Sequence, residues 1–132
     1  MSSDFGTAPH PDVFLTPDTA QLRLLNGPAS GRCFPLNRLQ MAVGRHDPPA
    51  VKVDIDLTGC ELGTPPSVSR RHAEFQWVEG KLQVVDLCST NGTFVNGEFL
   101  ICQAAKQPSA PVTLEVGSKV KLGNLEFEVI VH

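Results

Sequence analysis

The sequence lacks the features of a membrane-spanning or nucleic-acid-binding protein. No apolar run approaches the roughly 20 residues that a membrane helix needs, and residues 1–12 have neither the basic nor the apolar region of a signal peptide. The chain has 11 Lys and Arg against 14 Asp and Glu, a net charge of -3. It therefore lacks the excess of positive charge that gives affinity for nucleic acid. We expect a cytoplasmic protein with neither membrane nor nucleic acid among its partners.

The cysteines do not form a metal-binding pattern. Cys33, Cys60, Cys88 and Cys102 are widely spaced, with no C-x-x-C pair and no histidine at zinc-ligand spacing. We therefore expect no metal and no cofactor, and interpret the four as reduced, partly buried small side chains. A disulfide pair in an oxidising compartment stays open as the alternative.

No segment sustains a helical period. From Gln21 onward, short apolar alternations are broken about every 8 to 12 residues by Gly, Pro or Asn, which is typical of an all-β sandwich or barrel. The predicted strands are residues 21–25, 33–36, 41–44, 51–57, 72–77, 81–87, 93–95, 112–114, 119–122 and 125–131. We expect a two-sheet antiparallel β-sandwich over residues 21–132, preceded by a flexible N-terminal tail, residues 1–20, that is rich in proline and small polar residues.

The clearest strand is 125–131, where alternate residues are apolar and Glu126 and Glu128 take the other face. Gly123-Asn124 and Glu79-Gly80 are turn pairs that predict antiparallel hairpins. Residues 58–68 and 102–111 each contain two prolines. We expect both to be irregular surface loops.

Three segments at predicted strand ends have polar side chains that turns alone do not require. They are Gly44-Arg45, residues 67–72 and residues 89–97. If these strand ends meet at one edge of the sandwich, they bring together arginine guanidiniums, hydroxyls and backbone N–H donors. Such a set of donors fits a tetrahedral dianion, since a guanidinium binds phosphate through two N–H groups and hydroxyls donate to the remaining oxygens.

In this order and spacing, the segments resemble the forkhead-associated (FHA) domain, a phosphothreonine-reading β-sandwich of the group that recognises phosphate through arginines. The resemblance runs from residue 21 to residue 131. It includes the G-R pair, the S-x-x-H element at 69–72, the S-T-N-G-T-x-x-N-G element at 89–97, residues 54–57 and Leu122-Gly123. Each motif is short, but the ordered set is specific.

The resemblance implies a role for individual residues. Phosphate binding is assigned to Arg45, Ser69, Arg70 and Thr90, and binding of the ligand main chain to Asn91. The positions that hold the loops in shape are Gly44, His72, Gly92, Asn96 and Gly97. Segments 58–68 and 102–111 are longer than a compact member of the family needs, which affects the surface around the phosphate more than the phosphate contacts.

Arg71 and His72 lie next to the predicted phosphate ligands but are not predicted to bind phosphate. Side chains alternate in an extended segment, so Arg71 should point away from a phosphate that Arg70 faces. Ser69 and His72 tend toward opposite faces for the same reason, and no strained nucleophile turn is present. We expect His72 to be buried, with its ring nitrogens bonded to backbone groups.

The implied function is a phosphothreonine-dependent module that docks onto phosphorylated partner proteins in kinase signalling. It is not an enzyme, and it requires a separate upstream Ser/Thr kinase. Two alternatives stay open: a sandwich that binds its partner without phosphate, and a hydrolase that uses Ser69 and His72. Thr7, Thr16 and Thr19 in the tail also allow a phosphorylation-dependent self-association.

Overall fold

The computed structural model describes residues 14–61, 65–104 and 107–132. These ranges form thirteen strands, which are β1 (Ala20–Leu24), β2 (Cys33–Pro35), β3 (Gln40–Gly44), β4 (Ile55–Asp56), β5 (Ala73–Val78), β6 (Lys81–Asp86), β7 (Thr93–Val95), β8 (Glu98–Phe99), β9 (Cys102–Ala104), β10 (Gln107–Ser109), β11 (Val112–Leu114), β12 (Lys119–Leu122) and β13 (Leu125–Val131). The described ranges contain no helix that could cross a bilayer.

The strands form two large sheets and a ribbon. One sheet has the order β2-β1-β13-β12-β7-β8, the other has the order β11-β6-β5-β3-β4, and β9 pairs with β10 alone. One core cluster takes buried residues from both large sheets, such as Leu22 and Phe127 from the first and Val43 and Phe75 from the second. The architecture is the predicted all-β sandwich, in which each sheet turns its apolar face inward.

Strand β13 shows why the alternation was informative. Leu125, Phe127 and Val129 are at most 2% exposed, whereas Glu126 points to solvent. Burying one face fixes the register, since a shift by one residue would turn the apolar side chains outward. The turns at residues 79–80 and 123–124 join antiparallel pairs, as predicted.

The prediction of an irregular loop over residues 102–111 is wrong, because this segment contains β9 and β10. The reason is a contact far along the chain: Ser109 is 5% exposed, and its Oγ accepts a hydrogen bond from the backbone N–H of Asp86 at 2.9 Å. Segment 58–68 has no strand in its described parts, 58–61 and 65–68. It is not purely a surface loop, since Cys60 and Val68 are core residues.

The predicted strand 51–57 is also wrong in extent, because only Ile55 and Asp56 are in a strand. Asp47 and Val51 exchange backbone hydrogen bonds and close a loop between β3 and β4. Strand β4 then runs parallel to β3, with Val43 beside Ile55. The sandwich is therefore not wholly antiparallel.

The described part of the predicted tail begins at Phe14. Residues 16–19 form a turn in which the backbone N–H of Ala20 donates to Thr16 O at 2.8 Å, and Ala20 is the first residue of β1. The hydroxyls of Thr16 and Thr19 lie 3.2 Å apart within that turn. Thr7 lies outside the described residues.

The cysteines are free, but they are not uniformly buried. Cys60 lies in the core and Cys102 is half-buried, whereas Cys33 and Cys88 are exposed. The interpretation of four partly buried small side chains is therefore wrong for Cys33 and Cys88.

Candidate functional site

Arg45 leaves the end of β3 and is fixed by segment 67–69. Its backbone N–H donates to Ser69 O at 3.2 Å, and its Nε donates to Val68 O at 2.6 Å. The Nε contact uses one edge of the guanidinium, which carries five N–H donors in a planar fork. The side chain is half-buried, so Arg45 is held in place while its terminal nitrogens remain available to an anion.

Gly44 allows this close approach. A Cβ placed on Gly44 would overlap the carbonyl oxygen of Arg70 and would lie 2.7 Å from the carbonyl oxygen of Ser69. No side chain larger than hydrogen fits without moving segment 69–70. The glycine thus brings the first and second segments together.

Ser69 connects the second segment to the third. The backbone N–H of Thr90 donates to Ser69 Oγ at 3.0 Å. The hydroxyl of Ser69 is then an acceptor in that bond and keeps its own O–H to donate elsewhere. Ser69 is half-buried and Thr90 is exposed, so both lie where a ligand in solvent can reach them.

His72 braces the same loops from inside. It is 0% exposed; its Nδ1 accepts from the backbone N–H of Ser69 at 3.0 Å, and its Nε2 is 2.8 Å from Gly92 O. These contacts require the neutral ring with the proton on Nε2. Both ring nitrogens are bonded to backbone groups, which is the placement expected from the sequence.

Burial lowers the pKa of His72 below its usual value near 6.5, although the contact with Gly92 opposes this shift. The unfolded chain therefore takes up a proton at a higher pH than the folded chain does. We expect the free energy of unfolding to be unaffected by His72 above about pH 6.5 and to decrease as the pH falls from there through the folded pKa. Urea unfolding across this pH range measures the effect.

Two variants separate the contribution of His72 to the pH dependence of stability from that of other groups. The His72→Gln variant should lose this pH dependence, whereas His46→Gln, which changes an exposed histidine, should keep it. If the glutamine variant does not fold, NMR titration of the imidazole resonances in the native chain measures the pKa directly. A value for His72 at or above about 6.5 would contradict the prediction.

Thr90, Asn91 and Gly92 form a shaped loop. Gly92 has a φ of 92°, and its carbonyl, besides the contact with His72, accepts from the backbone N–H of Gly123 at 3.1 Å. A Cβ on Gly92 would overlap the ring of Phe99.

Asn91 Nδ2 donates to Ser67 O at 2.8 Å. A side-chain amide offers two N–H groups and an oxygen, so this bond leaves Asn91 with capacity for a peptide main chain.

A buried carboxylate lies beneath this loop. Asp86 is 3% exposed; its Oδ1 accepts from Ser89 Oγ at 2.6 Å and from Thr93 Oγ1 at 2.7 Å. Its Oδ2 accepts from the backbone N–H of Ser89 at 3.2 Å. Asp86 thus fixes both ends of segment 89–93. The sequence singled out no role for Asp86, because its partners lie beyond its own strand.

Arg70 follows Ser69 and carries its charge at the same end of the sandwich. Its Nη1 is 3.1 Å from Asp47 Oδ2, and both side chains are about half exposed, at 55% and 53%. Asp47 is a carboxylate that the three motifs do not contain. Its only sequence signal is its position two residues after Arg45. Arg71 is exposed.

Asn96 and Gly97 lie elsewhere. They form the turn between β7 and β8, and Asn96 is joined to Lys119 by two hydrogen bonds of 2.8 Å. This turn is at the other end of β7 from Thr90 and Asn91. The two residues shape a hairpin rather than contacting Arg45 or Ser69.

A second carboxylate fixes the outer side of segment 67–69. Glu61 Oε2 accepts from Ser67 Oγ at 2.6 Å, and Ser67 Oγ in turn accepts from the backbone N–H of Asn124 at 2.8 Å. Glu61 was not singled out from the sequence, and Asn124 was named only as a turn residue. Within the described ranges, no three His, Cys, Asp or Glu side chains are placed to hold a metal ion.

Comparison with known proteins identifies a matching family and a similar curated protein. The FHA domain family model matches residues 41–123. An oxoglutarate dehydrogenase inhibitor of Corynebacterium glutamicum is 34% identical over 129 residues, which are 96% of this chain and 77% of that protein.

Two solved structures are similar as well. A structure from work on phosphothreonine-dependent FHA domain interactions superposes with a TM-score of 0.61 at 29% identity, covering 86% of this chain and 97% of the other. Mycobacterium tuberculosis EmbR, solved with a low affinity phosphopeptide, gives a TM-score of 0.62 at 26% identity over 86% of this chain and 24% of its own.

Proposed function

The chain belongs to the FHA domain family and is a phosphothreonine-dependent binding module of kinase signalling, and we propose that Arg45, Ser69, Arg70 and Thr90 hold the phosphate. The observation that carries the proposal is the set of hydrogen bonds around Ser69. Its carbonyl accepts from Arg45 N–H and its hydroxyl accepts from Thr90 N–H. Three segments distant in sequence thereby meet at one place.

The ligand's charge suits this arrangement. A phosphothreonine carries about -1.5 to -2 charges at pH 7. Arg45 supplies a guanidinium held by Val68 O, and the hydroxyl of Ser69 donates to a phosphate oxygen. The backbone bonds that fix these groups exist without ligand, so little ordering is required on binding.

Arg70 joins the phosphate by exchanging partners. Its ion pair with Asp47 is exposed, and such pairs contribute about 0 to 1 kcal/mol. A phosphate has more charge than a carboxylate and can accept two parallel N–H bonds from a guanidinium, so it displaces Asp47. In the absence of phosphate, Asp47 keeps the Arg70 side chain near the site.

Asn91 completes the proposal by binding the peptide main chain beside the phosphothreonine. Its side chain is exposed, and its amide is oriented by the bond to Ser67 O. Gly44, His72 and Gly92 support the site by holding its loops, and Asn96 and Gly97 support it only through the β7–β8 turn. We place the chain in the cytoplasm, where an upstream Ser/Thr kinase has the ATP it needs.

The proposed role is binding without catalysis. A Ser-His hydrolase needs a ring nitrogen that takes the proton from the serine hydroxyl. Here Nδ1 of His72 is occupied by the backbone N–H of Ser69, and Nε2 by the carbonyl of Gly92. Neither nitrogen is placed to act on Ser69 Oγ.

The test uses one peptide in three chemical forms. A library with a fixed central phosphothreonine identifies a sequence that binds the full chain, and calorimetry then compares its phosphothreonine, phosphoserine and unmodified threonine versions. We expect no measurable binding of unmodified threonine. Phosphoserine should bind more weakly by about 1 to 3 kcal/mol, because it lacks the γ-methyl group that an apolar contact would recognise. Equal binding of all three peptides would mean that the surface does not recognise phosphate.

A further inference from the structure

Two free cysteines lie beside the loop that carries Thr90. Cys88 immediately precedes Ser89 and is exposed, and Cys102 begins β9 and is half-buried. Ribbon β9–β10 places them close together, because Cys102 pairs with Ser109 across the ribbon and Cys88 Sγ bonds to Gln107 O, two residues before Ser109. The thiol of Cys88 is near enough to raise the pKa of Cys102, and both cysteines are free. A reactive pair needs one thiol that solvent reaches and a second thiol within reach of the first, and these two residues provide both.

Each thiol is also tied to the structure around the phosphate site. Cys88 Sγ donates to Gln107 O at 3.0 Å. Cys102 Sγ donates to Asp86 Oδ2 at 3.5 Å, and the same oxygen accepts the backbone N–H of Ser89. A change in either sulfur therefore acts on the residues that position Thr90.

We propose that Cys88 and Cys102 form a reversible disulfide when the chain meets a peroxide, and that this disulfide lowers the affinity of the phosphothreonine site. The regulatory half rests on the proposed function. The oxidation itself does not, because it depends only on the two sulfurs.

The reaction proceeds in two steps. The sulfur of Cys88 attacks the peroxide, the O–O bond breaks, and Cys88 becomes a sulfenic acid while one water leaves. The sulfur of Cys102 then attacks the sulfur of Cys88, the S–O bond breaks, and a second water leaves with the proton of Cys102. Two thiols and one hydrogen peroxide thus give one disulfide and two waters, and the peroxide is the species reduced.

The order of the two steps follows from the surroundings. Contact with Cys88, partial burial and the hydrogen bond to Asp86 raise the pKa of Cys102 to about 12. The thiolate is the nucleophilic form, so Cys102 is not the sulfur that a peroxide meets first. The carboxylate of Asp86, which accepts the Cys102 S–H, is placed to take this proton as Cys102 attacks and to pass it to the departing oxygen, which leaves as the second water.

The disulfide changes the loop in two ways. It removes the S–H donor from Asp86, and it pulls the Cys88 side chain away from Gln107 O. Ser89 follows directly in the chain, and the backbone N–H of Thr90 is the group that bonds Ser69 Oγ. Weakening one hydrogen bond to a charged ligand corresponds to about a tenfold loss of affinity.

The experiment treats the full chain with hydrogen peroxide, alkylates the remaining thiols and identifies cross-linked peptides by mass spectrometry. We expect one peptide pair joined through Cys88 and Cys102, with two hydrogen atoms lost, and its disappearance after reduction. Calorimetry with the selected phosphothreonine peptide should show about tenfold weaker binding after oxidation, with recovery on reduction.

The matched variants separate the two halves of the proposal. Cys88→Ser and Cys102→Ser should form no disulfide and bind equally before and after peroxide, whereas Cys33→Ser, which changes a different exposed cysteine, should behave as the native chain. Alkylation of both Cys88 and Cys102 after peroxide, or pairing of either with Cys33, would overturn the disulfide. A Cys88–Cys102 disulfide with unchanged affinity would overturn the regulation. Absence of binding by the reduced chain would instead contradict the proposed function, while the disulfide would still be detected.

Discussion

The Arg45→Ala variant is expected to lose about 2 to 5 kcal/mol of phosphothreonine-peptide binding free energy. In the native chain the side chain of Arg45 is half-buried and held by Val68 O, so the charge pair that we propose between Arg45 and phosphate is partly shielded from water. Removing one member of such a pair leaves the other charge without its partner, and most of the loss should appear as faster dissociation. Calorimetry with the native and variant chains measures the change.

The matched control is Arg71→Ala, which removes the same charge from an exposed neighbour and should leave affinity nearly unchanged. A thermal unfolding curve for each variant checks that the fold is retained, since Arg45→Ala also removes the hydrogen bond to Val68. Arg45→Lys keeps the charge but not the planar fork and should also bind weakly. Native affinity in folded Arg45→Ala would rule out Arg45 as a phosphate ligand.

The elements that the sequence predicted well are those whose signal is local. The apolar alternation of β13 and the turn residues at 79–80 and 123–124 lie within the elements they specify. Strands 93–95, 112–114, 119–122 and 125–131 were predicted with the bounds that the structure has. The buried residues of the last three strands are apolar, whereas strand 93–95 buries Thr93 beside Val95.

The elements that were predicted wrongly depend on contacts far along the chain. Ribbon β9–β10 has little apolar alternation, and Pro108 lies within it. Its placement instead comes from Ser109, which accepts a hydrogen bond from the backbone of Asp86, 23 residues away. The short extent of β4 has a similar origin, since Asp54 Oδ2 accepts the backbone N–H of Ala42 at 2.9 Å. No local pattern encodes such pairings.

Some residues of the candidate site were predicted from sequence motifs, and others were found only in the structure. Arg45, Ser69 and Thr90 were singled out through their motifs, and direct hydrogen bonds connect them in the structure. The carboxylates that hold the surrounding groups, Asp47, Glu61 and Asp86, were not. The partner of Asp47 is 23 residues away, whereas the hydroxyl partners of Glu61 and Asp86 lie three to seven residues away, in loops whose shape no apolar alternation specifies. Their roles can therefore only be assigned once the fold is known.

Of these three carboxylates, Asp86 has the most hydrogen-bond partners described above, and the Asp86→Ala variant should have a lower free energy of unfolding. In Asp86→Ala, the hydroxyls of Ser89 and Thr93 and the backbone N–H of Ser89 lose their acceptor in a buried place. A buried polar group left without a partner costs about 1 to 3 kcal/mol, and rotation of the two hydroxyls recovers part of this. We expect the free energy of unfolding to fall by about 3 kcal/mol in a urea titration with an unchanged m-value.

Because Ser89 and Thr93 lie on either side of Thr90 and Asn91, Asp86→Ala should also weaken phosphothreonine binding at temperatures where it remains folded. Asp86→Asn keeps an oxygen for the two hydroxyls but loses an acceptor for the Ser89 N–H, so its loss of stability should be smaller. Asp18→Ala, at an exposed carboxylate, should leave both stability and affinity unchanged. If Asp86→Ala unfolds at the native urea midpoint, the carboxylate does not hold this loop. The placement of Thr90 would then depend on Ser69 and His72 alone.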